Sequence, residues 1–369
     1  MMWKISSSKD WEFLFERFSY LQDMEGVPQD PIFHAEGDVA VHTRMVVEAL
    51  LQLPAYQQLP EQEQEILFAA ALLHDVEKRS TTHVDGEGRI RSPGHAKRGM
   101  YTTRRLLYEE HAPSFAIKEM VARLVRYHGL PLWVFDKPDP RKALLQASLE
   151  VDTRLLGILA RADVLGRICA DQDELLYRID LFEAYCQEQQ CYGQAAAFGS
   201  DAGRYHYFQQ PDASPDYVPY EEKCFEVVLL SALPGSGKDR LVRQDYKDWP
   251  MVSIDDLRRK HGASPTNKKQ NGRMVQLAKE QARVFLRARR SFVWNATNTS
   301  RSMRKQLIDL FQSYGALTHL VYVEVPYKQL LHQNANRPHP VPRKALQRMI
   351  ARLEVPVLWE APRVSHRTY

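Results

Sequence analysis

Along the first half of the chain apolar residues recur three and four positions apart, as at Val46, Val47, Leu50 and Leu51 and again at Met120, Leu124 and Val125. That spacing follows the 3.6-residue period of a helix with one buried face. No β-branched alternating run competes with it up to about Cys191. Over 192–219 the pattern lapses into Gly, Ala, Ser, Gln and Pro, including Pro211, Ser214-Pro215 and Pro219, a composition that predicts an irregular connector. Beyond it, short apolar runs at 225–230, 250–254, 291–294 and 320–325 read as strands and alternate with helical patterns at 273–289 and 302–314. Strand and helix in alternation predict a parallel sheet. The expected architecture is an all-α domain over 1–195, a linker over 196–221, and an α/β domain with a parallel sheet over 222–369.

Composition agrees with two domains, because 369 residues with 44% apolar content suffice for two cores. The longest apolar runs, near Phe68 to Leu73 and Val227 to Leu230, fall far short of the roughly 18 residues of a membrane span. The opening Met1-Met2-Trp3-Lys4 lacks the charged-then-apolar order of a secretion signal. A cytoplasmic protein with no membrane association is expected. Cys169, Cys186, Cys191 and Cys224 form no CxxC pair and suit reduced thiols. The net charge of +4 hides an asymmetry: from Glu222 onward 27 Lys and Arg face 12 Asp and Glu, a balance of +15, which leaves −11 before it. A basic module joined to an acidic one suggests that the C-terminal half meets a polyanion.

Candidate chemistry in the helical half begins with six residues: His42, His74, Asp75, His95, His128 and Asp163. Neutral imidazole and carboxylate oxygen together suit divalent Mn, Fe, Co, Ni or Zn. The adjacent His74-Asp75 pair ends an apolar helical run, so both can reach one ion only if the backbone bends there, or else the pair bridges two ions. The order His, His-Asp, distant Asp resembles the HD-domain phosphohydrolase superfamily, and the intervening His95 and His128 match its two-metal version. The text Ala71-Leu72-Leu73-His74-Asp75-Val76-Glu77-Lys78, followed by Asp85-Gly86-Glu87-Gly88-Arg89-Ile90 and Gly94-His95, is similar to the HD domain attached to bacterial tRNA nucleotidyltransferases. The resemblance implies a first metal on His42, His74, Asp75 and Asp163, and a second on Asp75, His95 and His128 with Asp75 bridging. Lys78 would face the anionic substrate; alternatively it is a solvated charge at a helix C-terminus.

In the second half, Ala232-Leu233-Pro234-Gly235-Ser236-Gly237-Lys238-Asp239 follows a strand and opens a helix. Its shape is the Walker A loop, whose backbone N–H groups cradle phosphates while the lysine reaches the outer oxygens. Two positions depart from that pattern. Ala232 stands for the first Gly, which is tolerable if its φ stays negative. Asp239 stands for the hydroxyl residue that holds Mg²⁺, and its carboxylate would bind the ion directly or through water while adding negative charge. Pro234, Gly235, Ser236, Gly237, Lys238 and Asp239 are thus the expected nucleotide cradle, taking Mg²⁺ with ATP or GTP.

Further on come Ser253-Ile254-Asp255-Asp256-Leu257-Arg258, Trp294-Asn295-Ala296-Thr297-Asn298, Val325-Pro326-Tyr327 and Arg337. This set resembles the P-loop polynucleotide kinases. The resemblance implies Asp255 as general base, Arg258 on the acceptor's phosphate and Arg337 as a lid arginine on the donor. Asp255 has a second reading as a helix N-cap, with Asp256 the better pure cap. Relatives often carry a carboxylate where Asn295 to Asn298 stand, so a direct metal role for that segment is not implied. Basic residues crowd the region, and only Glu280 is acidic between Arg273 and Arg290, which suits salt-dependent binding of a nucleic-acid strand.

The two motif sets, in this order, resemble the bacterial end-healing family known as HD-Pnk. That resemblance implies removal of a 2′,3′-cyclic phosphate or a terminal 2′- or 3′-phosphate by the first domain. The second would phosphorylate 5′-hydroxyl ends from an NTP, with RNA or DNA ends as substrates and a ligase acting downstream. Two other readings fit the residues: a metabolite or nucleoside kinase fused to an HD nucleotidase, and a non-catalytic sensor of RNA ends with a decayed P-loop.

Overall fold

The computed structural model describes residues 2–220, 225–264 and 267–369; Cys224 and the expected domain start at residue 222 lie outside them. The chain divides into two compact units, Met1–Ala197 and Phe198–Tyr369. No helix among the described residues is long and apolar enough to cross a membrane.

The first unit is helical apart from a hairpin pairing His83–Val84 with Ile90–Arg91. Five of its helices carry or support the candidate ligands: α1 (Val39–Gln52), α2 (Glu61–Leu73), α3 (His95–Leu106), α4 (Phe115–Tyr127) and α5 (Thr153–Leu165). Residues 66–73 of α2 are buried on every side, as in the central helix of a bundle, and α1, α4 and α5 pack around it. Side chains fix the starts of the outer helices: Asp38 accepts from the Val41 N–H, Ser114 from Ile117 and Asp152 from Leu155, each satisfying a donor with no partner inside the helix. Just past α5, a Cβ on Gly166 would fall 2.6 Å from the Val46 backbone nitrogen of α1. Only glycine permits that approach, and it brings the Gly166 carbonyl against His42.

The second unit is built on five strands: β1 (Glu226–Ala232), β2 (Met251–Ser253), β3 (Phe292–Asn295), β4 (Leu317–Glu324) and β5 (Arg363–Thr368). Every pairing is parallel and the spatial order is β2-β3-β1-β4-β5, with Val228 opposite Val293 on one side and His319 on the other. The central strand β1 is buried from Val227 onward, as both faces of a parallel sheet are covered. One cluster joins Leu229, Trp294 and Phe311; another, Leu230, Leu241 and Val323.

Two features differ from expectation. The stretch expected to be a connector contains a helix, Asp201–Gln209, that belongs to the second unit: Arg204 Nε donates to the Leu358 carbonyl at 3.1 Å and the Tyr205 hydroxyl to Gln312 at 2.9 Å. Ser200 caps it, and its apolar contacts come from the closely spaced aromatics Tyr205, Tyr207 and Phe208, with Tyr205 against the sheet core and the Phe208 ring centroid 5.9 Å from that of Trp359, a cluster too short to show a helical period. Strand β5 was also unforeseen, since Arg-Val-Ser-His-Arg-Thr at a sheet edge carries no apolar run.

Candidate metal centre and phosphate site

All six expected ligands of the first unit converge. His42 comes from α1, His74 and Asp75 from the turn where α2 stops, His95 from the first position of α3, His128 from the residue after α4, and Asp163 from α5. The end of α2 at Leu73 supplies the bend that lets consecutive residues face one centre. His42, His74 and Asp163 offer ligand atoms within 4.8 Å of one another, and so do Asp75, His95 and His128. The Asp75 carboxylate stands between the groups: Oδ2 lies 3.2 Å from His74 Nε2, and Oδ1 lies 3.3 Å from His95 Nε2 and 3.9 Å from His128 Nε2.

The ring orientations suit metal binding. Nδ1 of His74 donates to the Ala71 carbonyl at 2.8 Å, that of His95 to Ser92 at 2.7 Å, and that of His128 to Val125 at 2.9 Å. With the proton on Nδ1, each Nε2 presents a lone pair inward. His42 Nε2 lies 3.1 Å from Asp163 Oδ1 and 3.4 Å from His74 Nε2. Burial lowers the His128 pKa to about 3, leaving the ring neutral. Burial favours protonation of Asp75, but Lys78 and His74 override it and hold the carboxyl well below its usual range. The same contest at Asp163 is decided by Arg167 and His42. Asp75 Oδ1 is buried without a hydrogen-bond partner among the described residues, a cost that a coordinated cation would relieve. These residues fit divalent metal of the borderline class.

Lys78 opens a short helix, Lys78–Thr81, and is buried, so the reading as a solvated C-terminal charge fails. Its Nζ bridges Asp75 Oδ2 at 2.8 Å and Gln29 Oε1 at 2.7 Å. Sequence reasoning missed three neighbours. Arg167 binds Asp163 at 2.6 Å. Glu36 accepts from His34 Nδ1 at 2.8 Å and lies 2.9 Å from His42 Nδ1, which also faces the Gly166 carbonyl at 3.2 Å. Arg167 was detectable as the residue one helical turn past Asp163; His34 and Glu36 lie in an irregular segment with no period to mark them.

In the second unit β1 ends at Ala232, which pairs with Val323. Ala232 is absent from the positive-φ residues, so its methyl is accommodated as the last residue of a strand. Gly235 and Gly237 take φ of 88° and 89°, conformations that disfavour side chains. A Cβ on Gly235 would also approach the Leu330 carbonyl and Asn334 nitrogen of α9 (Tyr327–Ala335) to 3.1 Å. Pro234 and Ser236 are buried, the Ser236 hydroxyl donating to the Leu233 carbonyl at 2.8 Å. Lys238 starts α6 (Lys238–Asp245) almost fully buried, and that burial lowers its pKa against the pull of Asp239 and Asp255.

Asp239, Asp255, Asn295 and Arg337 line one cavity of about 370 Å³. Asn295 Nδ2 donates to Asp239 Oδ1 at 2.7 Å. Asp255 lies in α7 (Ile254–Lys260), paired with Arg258 at 2.7 Å, while Arg258 Nε donates to Asn271 at 2.8 Å. Neither Asp255 nor Asp256 caps α7. Ser253 does, accepting from the Asp256 N–H at 3.2 Å, because the helix begins one residue before Asp255. Asn298 serves the backbone: it sits at φ 44° and donates Nδ2 to the Leu230 carbonyl at 2.7 Å. The loop holding Arg337 is closed by Asn334, whose side chain both donates to and accepts from Val341.

Residues 39–168 match the family model of the HD domain, and residues 227–356 match that of an AAA domain. The multifunctional CCA protein of Halorhodospira halophila (strain DSM 244 / SL1) is 36% identical over 103 residues, 28% of this chain and 22% of that protein. The chain thus spans under a quarter of that relative's length. Similar solved structures include a chain of the Pnkp1/Rnl/Hen1 RNA repair complex, at TM-score 0.33 and 19% identity over 38% of this chain and 46% of that one. Another is a putative kinase from Chloroflexus aurantiacus j-10-fl, at TM-score 0.33 and 13% identity over 40% and 89%.

Proposed function

We propose that this chain, an HD phosphohydrolase domain followed by a P-loop kinase-like AAA domain, heals broken nucleic-acid ends. The first unit would hydrolyse a 2′,3′-cyclic phosphate or a terminal 2′- or 3′-phosphate, and the second would phosphorylate the 5′-hydroxyl. One observation carries the reading: a single chain holds both a site suited to removing phosphate and a site suited to adding it, the second within a strongly basic half.

In the first unit His42, His74, Asp75 and Asp163 would hold one divalent ion, and Asp75, His95 and His128 a second. Bound ions would supply the acidity that makes water a nucleophile at neutral pH. Lys78 and Arg167 place two cations beside the cluster, where they would neutralise the phosphate under attack.

In the second unit the glycine turn and Lys238 would seat the donor's phosphates, with Mg²⁺ at Asp239 and ATP or GTP as donor. Asp255 would take the proton of the 5′-hydroxyl as its oxygen bonds to the γ-phosphorus. The bond to the β-phosphate oxygen then breaks, leaving NDP. Arg337 would balance charge on the donor side and Arg258 would hold the acceptor's phosphate. Positioning and neutralisation supply most of the catalysis in such transfers. Basic side chains of α8 (Lys268–Arg287), with Arg289 and Arg290 beyond it, would bind the strand.

The reading is tested by separating the two activities. Asp75→Ala should remove phosphoesterase activity by about 10³-fold or more and spare the kinase, and Lys238→Ala should do the reverse. Loss of both activities from either change, in folded protein, would contradict two independent sites.

A further inference from the structure

Two cavities open on the metal cluster of the first unit, about 290 and 600 Å³ in volume, and they share His34, Lys78, His95, Trp133 and Arg167. Their remaining walls have opposite character. Phe33, Asp30 and Asp171 line the smaller cavity only; Arg126 and Lys137 line the larger only. Phe33 is 50% exposed and Trp133 43%, a large apolar exposure for rings beside so charged a centre, and neither ring has a part in holding metal. Trp133 is nonetheless held in place. The Arg178 guanidinium lies 4.9 Å from its ring centroid and is itself fixed by Glu174, Asp136 and the Leu132 carbonyl.

Building on the phosphoesterase reading, we propose that the smaller cavity is a nucleobase subsite. The terminal base stacks on Phe33 and Trp133 while its phosphate faces the metal cluster, and the strand leaves through the larger cavity past Arg126 and Lys137. Charge sets this direction. Asp30 and Asp171 repel phosphates but accept hydrogen bonds from the amino and imino groups of a base, whereas Arg126 and Lys137 attract the backbone. The volumes are of the size that small-molecule sites occupy. Stacking on aromatic rings tolerates any base, which suits an enzyme that meets ends of any sequence. The substrate class is then a nucleotide terminus and not a simple phosphate ester.

The test uses full-length protein and two oligonucleotides ending in a 2′,3′-cyclic phosphate, one with a terminal adenine and one abasic at that position. Wild type should show a KM about tenfold lower for the adenine end. Trp133→Ala and Phe33→Ala should each erase much of that preference, Trp133→Phe should keep most of it, and kcat should move little. The Arg126→Ala/Lys137→Ala double variant should raise KM for the oligonucleotide but not for 2′,3′-cyclic AMP. Equal KM for the two ends in wild type, or equal losses on both ends in Trp133→Ala, overturns the subsite. Fluorescence separates this outcome from failure of the phosphoesterase reading. AMP should quench wild type more than Trp133→Phe even if neither oligonucleotide is hydrolysed, and identical quenching speaks against the subsite.

Discussion

Asn295 donates its side-chain amide to Asp239 at 2.7 Å, tying the end of strand β3 to the residue that follows the P-loop lysine. The contact helps to explain how a carboxylate is kept where a hydroxyl is usual. Burial pushes the Asp239 carboxyl up, but Lys238 and the Asn295 amide outweigh it and hold the group ionised below its ordinary range. Asn295 Oδ1, meanwhile, is buried with no partner among the described residues, and Asn295 lines the same cavity as Asp239, Asp255 and Arg337.

Asn295→Asp would replace that donor by a second carboxylate at hydrogen-bond distance. Two such groups resist joint ionisation, so kinase kcat/KM for NTP should fall about tenfold or more, with the loss shrinking as pH rises and both carboxylates ionise for Mg²⁺. An unchanged kcat/KM would remove Asp239 and Asn295 from the donor site.

Lys238 couples donor binding to protons. Burial lowers its pKa from the usual 10.5, so in the alkaline range below 10.5 part of the free protein carries a neutral amine. Phosphates seated against it favour the ammonium form. NTP binding in that range should therefore take up protons, an uptake that fades once the pH lies well below the lowered Lys238 pKa. Calorimetry in buffers of different ionisation enthalpy reads this directly, and Lys238→Met should abolish the alkaline component. Proton release in wild type would contradict it.

Arg304 is fully buried. It grips Glu360 with Nε at 2.8 Å and Nη2 at 3.0 Å, and its Nη1 donates to the Asn298 and Glu354 carbonyls. Arg304→Ala would remove the fully buried partner of the Glu360 carboxylate and leave Arg301 Nε and the Val357 N–H, each at 3.2 Å, to hold it, at a cost of up to about 3 kcal/mol. It would also release the segment beyond β3. The midpoint of heat inactivation of the kinase should drop by several degrees; an unchanged midpoint would show that the network is dispensable.

Much of this was legible in the sequence because the chemistry is carried by rare residue types at helix and strand ends. His74-Asp75 follows an apolar run, and the glycine turn follows β1, so both announce their backbone context. What stayed hidden depends on tertiary placement. Glu36 reaches His42 from an irregular segment, and nothing in its neighbours marks it. Trp133 resembles an ordinary core aromatic until the fold leaves it half-exposed, lining the two cavities that also contain the candidate ligand His95. Helix Asp201–Gln209 is anchored by one short aromatic cluster together with the Arg204 and Tyr205 hydrogen bonds, and strand β5 is an edge strand, so apolar periodicity is silent about them. Ser253 displaced Asp255 and Asp256 as the cap because α7 starts earlier than the acidic pair suggested.

Repair of both kinds of damaged terminus by one chain can be read in a single reaction. The measurement is end-group analysis of RNA and DNA oligonucleotides bearing a 2′,3′-cyclic phosphate and a 5′-hydroxyl, incubated with full-length protein, γ-labelled ATP or GTP, Mg²⁺, and each of Mn²⁺, Co²⁺, Ni²⁺, Fe²⁺ and Zn²⁺ in turn. Label should appear at the 5′ end while the cyclic phosphate at the other end is opened or lost, the second outcome disappearing with chelator. Label transferred only to small metabolites, with both oligonucleotide ends untouched under every ion, would contradict end healing.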